Sequence, residues 1–393
     1  MSVLFDNGNR KAGERVRVGI LWTKLSGYLN ACLQELASRE GVQLFVSHQT
    51  PALDAPFDES QFAWMKNRLM WRANSELNAI EPKLQEFNPD VLIFAGWAVP
   101  AYRRMAKVFA GKCLRIMTMD NCWLGTAKQR LATQIAPFYI RPLADAVWLP
   151  GERQAVFARK LGFEQREILR GLYCCDQRRL EAIHSGRLLA GSPVSRAFLF
   201  VGRFVQDKGI DTLVKAYEIY RAHSSNPWPL ICCGTGPLHT LLENEPGIQI
   251  EGFLQPEQLR YRFGQAGCLV LPSDFEPWAV VVHEAASAGL LILASENVGA
   301  AVHLVQDNYN GYIFGGKDAT GLAALLQRVS AMTDERLDEM SRASHSLSLQ
   351  FSPRHWAQTL LDVAGQWAGG AKVAASGVLA NKTRQALHVK SPV

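Results

Sequence analysis

Short, continuously apolar runs alternate with stretches of helical periodicity almost from one end of the chain to the other. In the first half the runs are VRVGILW from Val16, VQLFVS from Val42, DVLIFAG from Asp90, CLRIMTM from Cys113 and DAVWLPG from Asp145. A helix over roughly Gly27 to Ser38 separates the first two. The second half restarts with AFLFVGR from Ala197, followed by LICCGTG, IQIEGF, CLVLPS and LILAS. Strands that are apolar at every position, not only at alternate ones, belong in a parallel sheet covered on both faces. Interleaved with helices, they predict a doubly wound α/β fold. The two halves share that fold type but no sequence repeat.

The alternation breaks at SGRLLAGSPVSR, Ser185 to Arg196, where Gly, Ser and Pro mark a domain boundary. Residues 1–188 and 189–352 are therefore expected to form two Rossmann-like domains. From Pro353, PRHWAQTLLDVAGQWA sets Trp356, Leu360, Val363 and Trp367 on one helical face. This helix, 353–369, is expected to pack back towards the N-terminal domain. Residues 370–393 form a basic tail with Lys372, Lys382, Arg384 and Lys390 and no acidic residue. It reads as a poorly ordered segment, with weak membrane contact as the alternative. WMKNRLMWR, from Trp64, reads as a helix. Its Trp, Lys and Arg suit a membrane interface, although a solvated helix with two buried tryptophans is the commoner outcome.

A chain of 393 residues suits two domains of ordinary size. No apolar stretch approaches the twenty or so residues of a membrane span. The opening MSVLFDNGNRKAGER lacks the apolar run and cleavage site of a signal peptide, so a cytoplasmic protein is expected. The formal charge of +6 fits an anionic partner such as a nucleotide diphosphate, or weak attraction to an acidic membrane face. No basic block or module signature points to nucleic acid. The eight cysteines include no C-x-x-C pair, and several lie in apolar runs, so buried reduced thiols are expected instead of a metal site.

Four segments of the second half carry candidate chemistry. In VGRFVQDKG a strand ends at Val201 and Gly202 turns the chain, with Arg203 and Lys208 flanking a short loop. Ligands of doubly wound sheets bind outside the carboxyl ends of strands. There Arg203 offers paired donors to a phosphate, and Lys208 a compact charge. Surface charge on a loop would look the same. In PSDFEPWAVVVHEAASAG, Glu276 precedes a helix opening near Trp278, and Glu284 lies about two turns further in. Carboxylates accept paired sugar hydroxyls, and helix N–H groups receive phosphate oxygens. GTGPL from Gly234 allows close backbone approach, to a ligand or simply within a turn. EGFL from Glu251 ends a strand and can offer backbone groups to a base.

The order GRFVQDKG, GTGPL, GFL, EPWAVVVHEA, closed by GAAVHLVQDNYNGYIF, resembles the C-terminal domain of the GT-B retaining glycosyltransferases of family GT4. The likeness spans roughly Ala197 to Phe314; the N-terminal half resembles the family in layout only. It implies two Rossmann-like domains facing each other across a cleft that holds a nucleotide-sugar donor. By that resemblance Arg203 and Lys208 bind the donor diphosphate, Glu276 contacts the sugar and Glu284 the ribose. The base lies near Phe253 and Leu254, and the helix start at Ala279, Val280 and Val281 faces the sugar phosphate. No metal and no separate cofactor is implied, and His283 is expected to be a packing residue.

Ala279 stands where the family usually has glycine, and Leu291 where proline is common. The usual double glycine of the first loop is Ser26-Gly27, which leaves Gly27 as the candidate for a phosphate or acceptor contact. Many relatives carry a histidine where Asp120 lies here. Asp120 either positions an acceptor hydroxyl or the donor sugar, or caps the turn DNCWLG. The resulting expectation is sugar transfer with retention to a glycan or lipid-linked acceptor, in polysaccharide or lipopolysaccharide assembly. The alternatives are a nucleotide-sugar epimerase and a binding protein without catalysis.

Overall fold

The computed structural model describes residues 15–50, 57–243 and 245–370. The N-terminal segment 1–14, read above for a signal peptide, and the cations of the basic tail lie outside the described residues.

The first sheet has seven parallel strands: β1 (Val16–Lys24), β2 (Val42–Gln49), β3 (Arg68–Trp71), β4 (Val91–Ala95), β5 (Leu114–Thr118), β6 (Ala146–Trp148) and β7 (Ile168–Leu169). Their order is β3-β2-β1-β4-β5-β6-β7. The second sheet has six: β8 (Phe198–Val201), β9 (Leu230–Cys233), β10 (Ile248–Gly252), β11 (Cys268–Leu271), β12 (Leu291–Ser295) and β13 (Gly311–Phe314). Their order is β10-β9-β8-β11-β12-β13. Each order reverses once, between β1 and β4 and between β8 and β11. The crevice for a ligand opens at such a reversal, beyond the strands' carboxyl ends.

Helices α1 (Gly27–Ala37), α2 (Ile80–Phe87), α3 (Pro100–Val108), α4 (Ala127–Tyr139) and α5 (Glu152–Lys160) serve the first sheet. Helix α6 (Gln177–Leu189) leads to the second. That sheet is covered by α7 (Ile210–Ala222), α8 (Pro256–Gln265), α9 (Val280–Ser287), α10 (Ala301–Leu304), α11 (Ala319–Ser330) and α12 (Asp334–Ser348). The chain then returns through α13 (Pro353–Ala368). Helix α13 packs along α1 of the N-terminal domain. Trp356 stacks on Trp148 of β6 with ring centroids 4.6 Å apart, and its indole N–H donates to the Leu172 carbonyl at 3.0 Å. The stack satisfies a buried donor while adding about 0.5–1.5 kcal/mol beyond plain apolar burial.

Two sequence expectations are corrected. WMKNRLMWR is not a helix: a short 3-10 turn over Glu59–Phe62 precedes it and its Arg68–Trp71 are β3. Its tryptophans face inward, Trp64 donating to Asn30 Oδ1 at 2.8 Å and Trp71 to the Tyr102 hydroxyl at 3.0 Å. No membrane-facing helix exists there. Ser185 to Leu189, assigned to the boundary loop, form the last turns of α6. Seven of the eight cysteines are buried, Cys122 is half-buried, and all are free thiols. Among the described residues no helix is long and apolar enough to cross a membrane.

Candidate active site

The loop after β8 carries Gly202, Arg203 and Lys208. A 3-10 turn over Gln206–Lys208 closes on Gly209, whose φ of 67° is left-handed. A β-carbon there would sit 2.1 Å from the Pro272 carbonyl oxygen. Only glycine lets this loop lie against the end of β11, which brings Lys208 to Glu276. The Lys208 ammonium and a Glu276 carboxylate oxygen form an ion pair. Arg203 is exposed on the same loop.

The close approach that Gly234 allows is made by the chain's own backbone. The space left by its missing side chain is filled by the Gly202 carbonyl, which a β-carbon would approach to 1.9 Å. Phe204 N–H donates to the Thr235 carbonyl at 2.8 Å, and Leu238 N–H to the Phe204 carbonyl at 3.0 Å. The glycine-rich turn thus fixes the phosphate-candidate loop against β9. Phe253 and Leu254 follow β10, and the Phe253 ring meets Phe57 of the N-terminal domain edge-on at 5.5 Å.

Beyond β11 the chain runs through Glu276 to Ala279, the N-cap of α9. Val280 and Val281 open the helix, so their N–H groups point out of its positive end. Glu284 is the fifth residue, one turn into α9 and not two. Its carboxyl keeps a little surface, yet desolvation, aided by Asp176, pushes its pKa up to about 7. His283 points the other way. Its Nδ1 accepts from Cys175 N–H at 3.0 Å, and its Nε2 bonds the Ser348 carbonyl at 3.1 Å. Burial holds its pKa down at about 4, so it is a neutral link between domains, a packing residue.

Ala279 adopts φ 76° and ψ 86° and is buried. Left-handed geometry costs an L-residue roughly 1–2 kcal/mol, partly offset by the greater unfolded entropy of glycine. Ala279→Gly is therefore expected to raise stability by about 0.5–1 kcal/mol in urea denaturation. A loss of stability would show that the methyl contacts outweigh the strain.

Across the cleft, the carboxyl ends of β1, β4 and β5 surround a cavity of about 300 Å³ lined by Trp22, Thr23, Tyr28, Thr118, Asp120 and Tyr173, among others. Asp120 accepts a hydrogen bond from the Tyr173 hydroxyl at 3.3 Å, so its carboxylate faces this cavity and does not cap the DNCWLG turn. Tyr28 packs edge-on against Tyr173 at 5.3 Å. Burial pushes the Tyr28 phenol up to about 12; Ser26 opposes this, while Asp120 and Glu284 both add to it. Tyr28 thus senses the carboxylates of both domains. Gln154 Nε2 donates to Pro277 O at 2.6 Å and to Asp120 O at 3.3 Å, fastening the Asp120 loop to the Glu276 turn. A β-carbon on Gly27 would stand 3.6 Å from Pro256, placing this residue where α1 meets α8.

The structure therefore gathers Lys208, Glu276, Glu284, Tyr28 and Asp120 about one cleft. Tyr28, Tyr173, Gln154 and Asp176 escaped the sequence reading. Isolated aromatics and a lone glutamine carry no motif, and only the tertiary fold brings them together.

Two facing parallel-sheet domains with a site at both sheet reversals define the GT-B fold. Residues 193–345 match the family model described as glycosyl transferases group 1. A glycosyltransferase of Methanocaldococcus jannaschii is 28% identical over 157 residues, 38% of this chain and 39% of its own length. The amylovoran biosynthesis glycosyltransferase AmsK of Erwinia amylovora is 28% identical over 145 residues, 34% of this chain and 35% of its own. The matched region thus spans less than half the length of these relatives. A glycosyltransferase of Rickettsia africae superposes with a TM-score of 0.70 at 12% identity, covering 91% of this chain and all of that one. HepE of Anabaena, solved with UDP and glucose, gives 0.64 at 15% identity, covering 88% and 98%.

Proposed function

We propose that the protein is a glycosyltransferase that takes a sugar from a nucleoside diphosphate and transfers it, with retained anomeric configuration, to an acceptor hydroxyl. The observation that supports this reading most is the tie that Gln154 makes between the turn carrying Glu276, the partner of Lys208, and the loop of the Asp120 cavity. The Lys208–Glu276 pair suits a diphosphate and a sugar; the cavity leaves room for an acceptor.

In this reading the donor changes partners within the site. Its diphosphate shares Lys208 with Glu276 and gains Arg203 and the N–H groups of Val280 and Val281. Glu276 then becomes available to sugar hydroxyls. The bond from the anomeric carbon to the diphosphate oxygen breaks, and the acceptor oxygen bonds to the same face. The acceptor proton passes to the departing diphosphate. Positive charge already fixed in the site lowers the barrier because the negative charge on the leaving group grows in the transition state. Glu284 takes the ribose hydroxyls, and Phe253 and Leu254 lie beside the base. The charge is carried by protein groups, so no metal takes part. A glycan or lipid-linked acceptor, and a role in polysaccharide or lipopolysaccharide assembly, complete the proposal. AmsK, a matched relative, is itself an amylovoran biosynthesis glycosyltransferase.

Proton NMR of products formed from a nucleotide-sugar and candidate acceptors, with and without EDTA, tests this. A glycoside with the donor's configuration, formed at an unchanged rate in EDTA, is expected. An inverted product would remove the retaining step, and loss of rate in EDTA the metal-free one. A sugar altered without any acceptor would indicate the epimerase, and donor binding without any product a protein that has lost catalysis.

A further inference from the structure

Helix α4 is covered by protein along one side only. Leu124, Leu131, Ile135 and Phe138 are 59%, 64%, 46% and 87% exposed. At 100° per residue Leu131, Ile135 and Phe138 fall within one narrow sector, with Lys128 at its margin, and Leu124 lies in the loop that leads into the helix. Scattered exposed leucines are ordinary; three large apolar side chains exposed along one face of a helix, with a fourth just before it, are not. The remaining side of α4 is where Ala136 is buried.

The charges around the row share one sign. Between Asp120 and Asp145 the chain has no acidic residue, while Lys128, Arg130 and Arg141 lie within that stretch. Two further cations sit on neighbouring rings, Arg103 over Tyr139 at 5.4 Å and Lys160 over Trp123 at 4.8 Å. Asp145, at the end of the stretch, is engaged by Arg115 at 2.8 Å. An apolar row with cations beside it, on a stretch that has no carboxylate between Asp120 and Asp145, matches the order of an anionic bilayer, with phosphates at the surface and acyl chains beneath. A second copy of this chain would meet the same cations and be repelled at the border.

We infer that the α4 face, Leu131, Ile135 and Phe138 with Lys128 and Arg130, together with Leu124 in the loop before it, docks the protein on an anionic lipid surface. The loop that begins at Asp120 leads directly into this helix, so a bilayer beneath α4 lies beside the mouth of the Asp120 cavity. Docking itself is independent of the reaction proposed above. That it delivers a lipid-linked acceptor rests on that proposal.

Co-sedimentation of the full chain with phosphatidylcholine vesicles, with and without phosphatidylglycerol, tests docking directly. The wild type is expected to pellet with the anionic vesicles and to be released by salt. L131E/F138E is expected to bind at least about ten-fold more weakly, because two anchoring side chains are lost and two negative charges gained. Both positions are exposed, and an unchanged melting temperature verifies the fold. Wild-type protein that stays in the supernatant, or a variant that pellets as the wild type does, would overturn the inference. So would a wild-type dimer in sedimentation velocity that this variant dissociates, since the face would then belong to a second copy. Donor binding measured on the same samples keeps failure of docking apart from failure of the transferase reading.

Discussion

Lys208→Ala is expected to lower kcat/KM for the nucleotide-sugar by about a hundred- to a thousand-fold, the usual consequence of removing one fixed stabiliser of developing charge. Lys208 reaches the site only because Gly209 lets its loop rest on the Pro272 carbonyl. Among the described residues its ion-pair partner is Glu276. The effect on stability should be much smaller, about 1 kcal/mol, because both side chains open to the cleft and Glu276 can turn to water. A merely structural ion pair would give the opposite pattern, a lower melting temperature with unchanged kinetics. Initial rates and thermal melts on the same preparation separate the two.

Glu284→Gln is expected to weaken donor binding by about a hundred-fold above neutrality, since two hydrogen bonds to a charged acceptor become bonds to a neutral one. Glu284 is raised to about 7, chiefly by desolvation and then by Asp176. A raised carboxyl binds its proton more tightly in the folded state than in the unfolded chain. Its stabilising contribution is therefore complete below the ordinary carboxylate range and is lost as pH rises through about 7. The donor, in contrast, needs the ionised form to accept its ribose hydroxyls. Wild-type affinity should fall with acidification below about 7, whereas the variant's should stay flat. The variant should also be the more stable protein above neutrality in the absence of donor. Titration calorimetry with a nucleotide-sugar, whose diphosphate has no ionisation in this range, reads the first effect. Urea melts across pH read the second. Wild-type affinity that does not change with pH would remove Glu284 from the ribose.

The strands covered on both faces were legible because nearly every position in them is buried, as in FLFV of β8 and CLVL of β11. Strand β3 was not. It lies at the edge of its sheet with Met70 exposed, and its tryptophans suggested helical spacing. Two-residue β7 is too short to leave a pattern. The C-terminal half of the site was readable because Arg203, Lys208, Glu276 and Glu284 sit in compact segments that end strands. The N-terminal half depends on Tyr28 and Tyr173 meeting Asp120 across long separations, and in sequence each looks like an ordinary core aromatic. Gly234 shows the converse limit. A glycine-rich turn reads as a place for a ligand or as a plain turn, and here the space beside Gly234 is taken by the chain's own backbone.

Thermal denaturation of the wild type and Lys208→Ala with UDP, GDP, ADP and their sugar conjugates tests the donor site most directly. Ligand at a hundred times its dissociation constant adds about 2.7 kcal/mol of stability. The account predicts that one nucleotide series raises the wild-type melting temperature and that the rise vanishes in the variant. No rise with any nucleotide, or an equal rise in the variant, would contradict it.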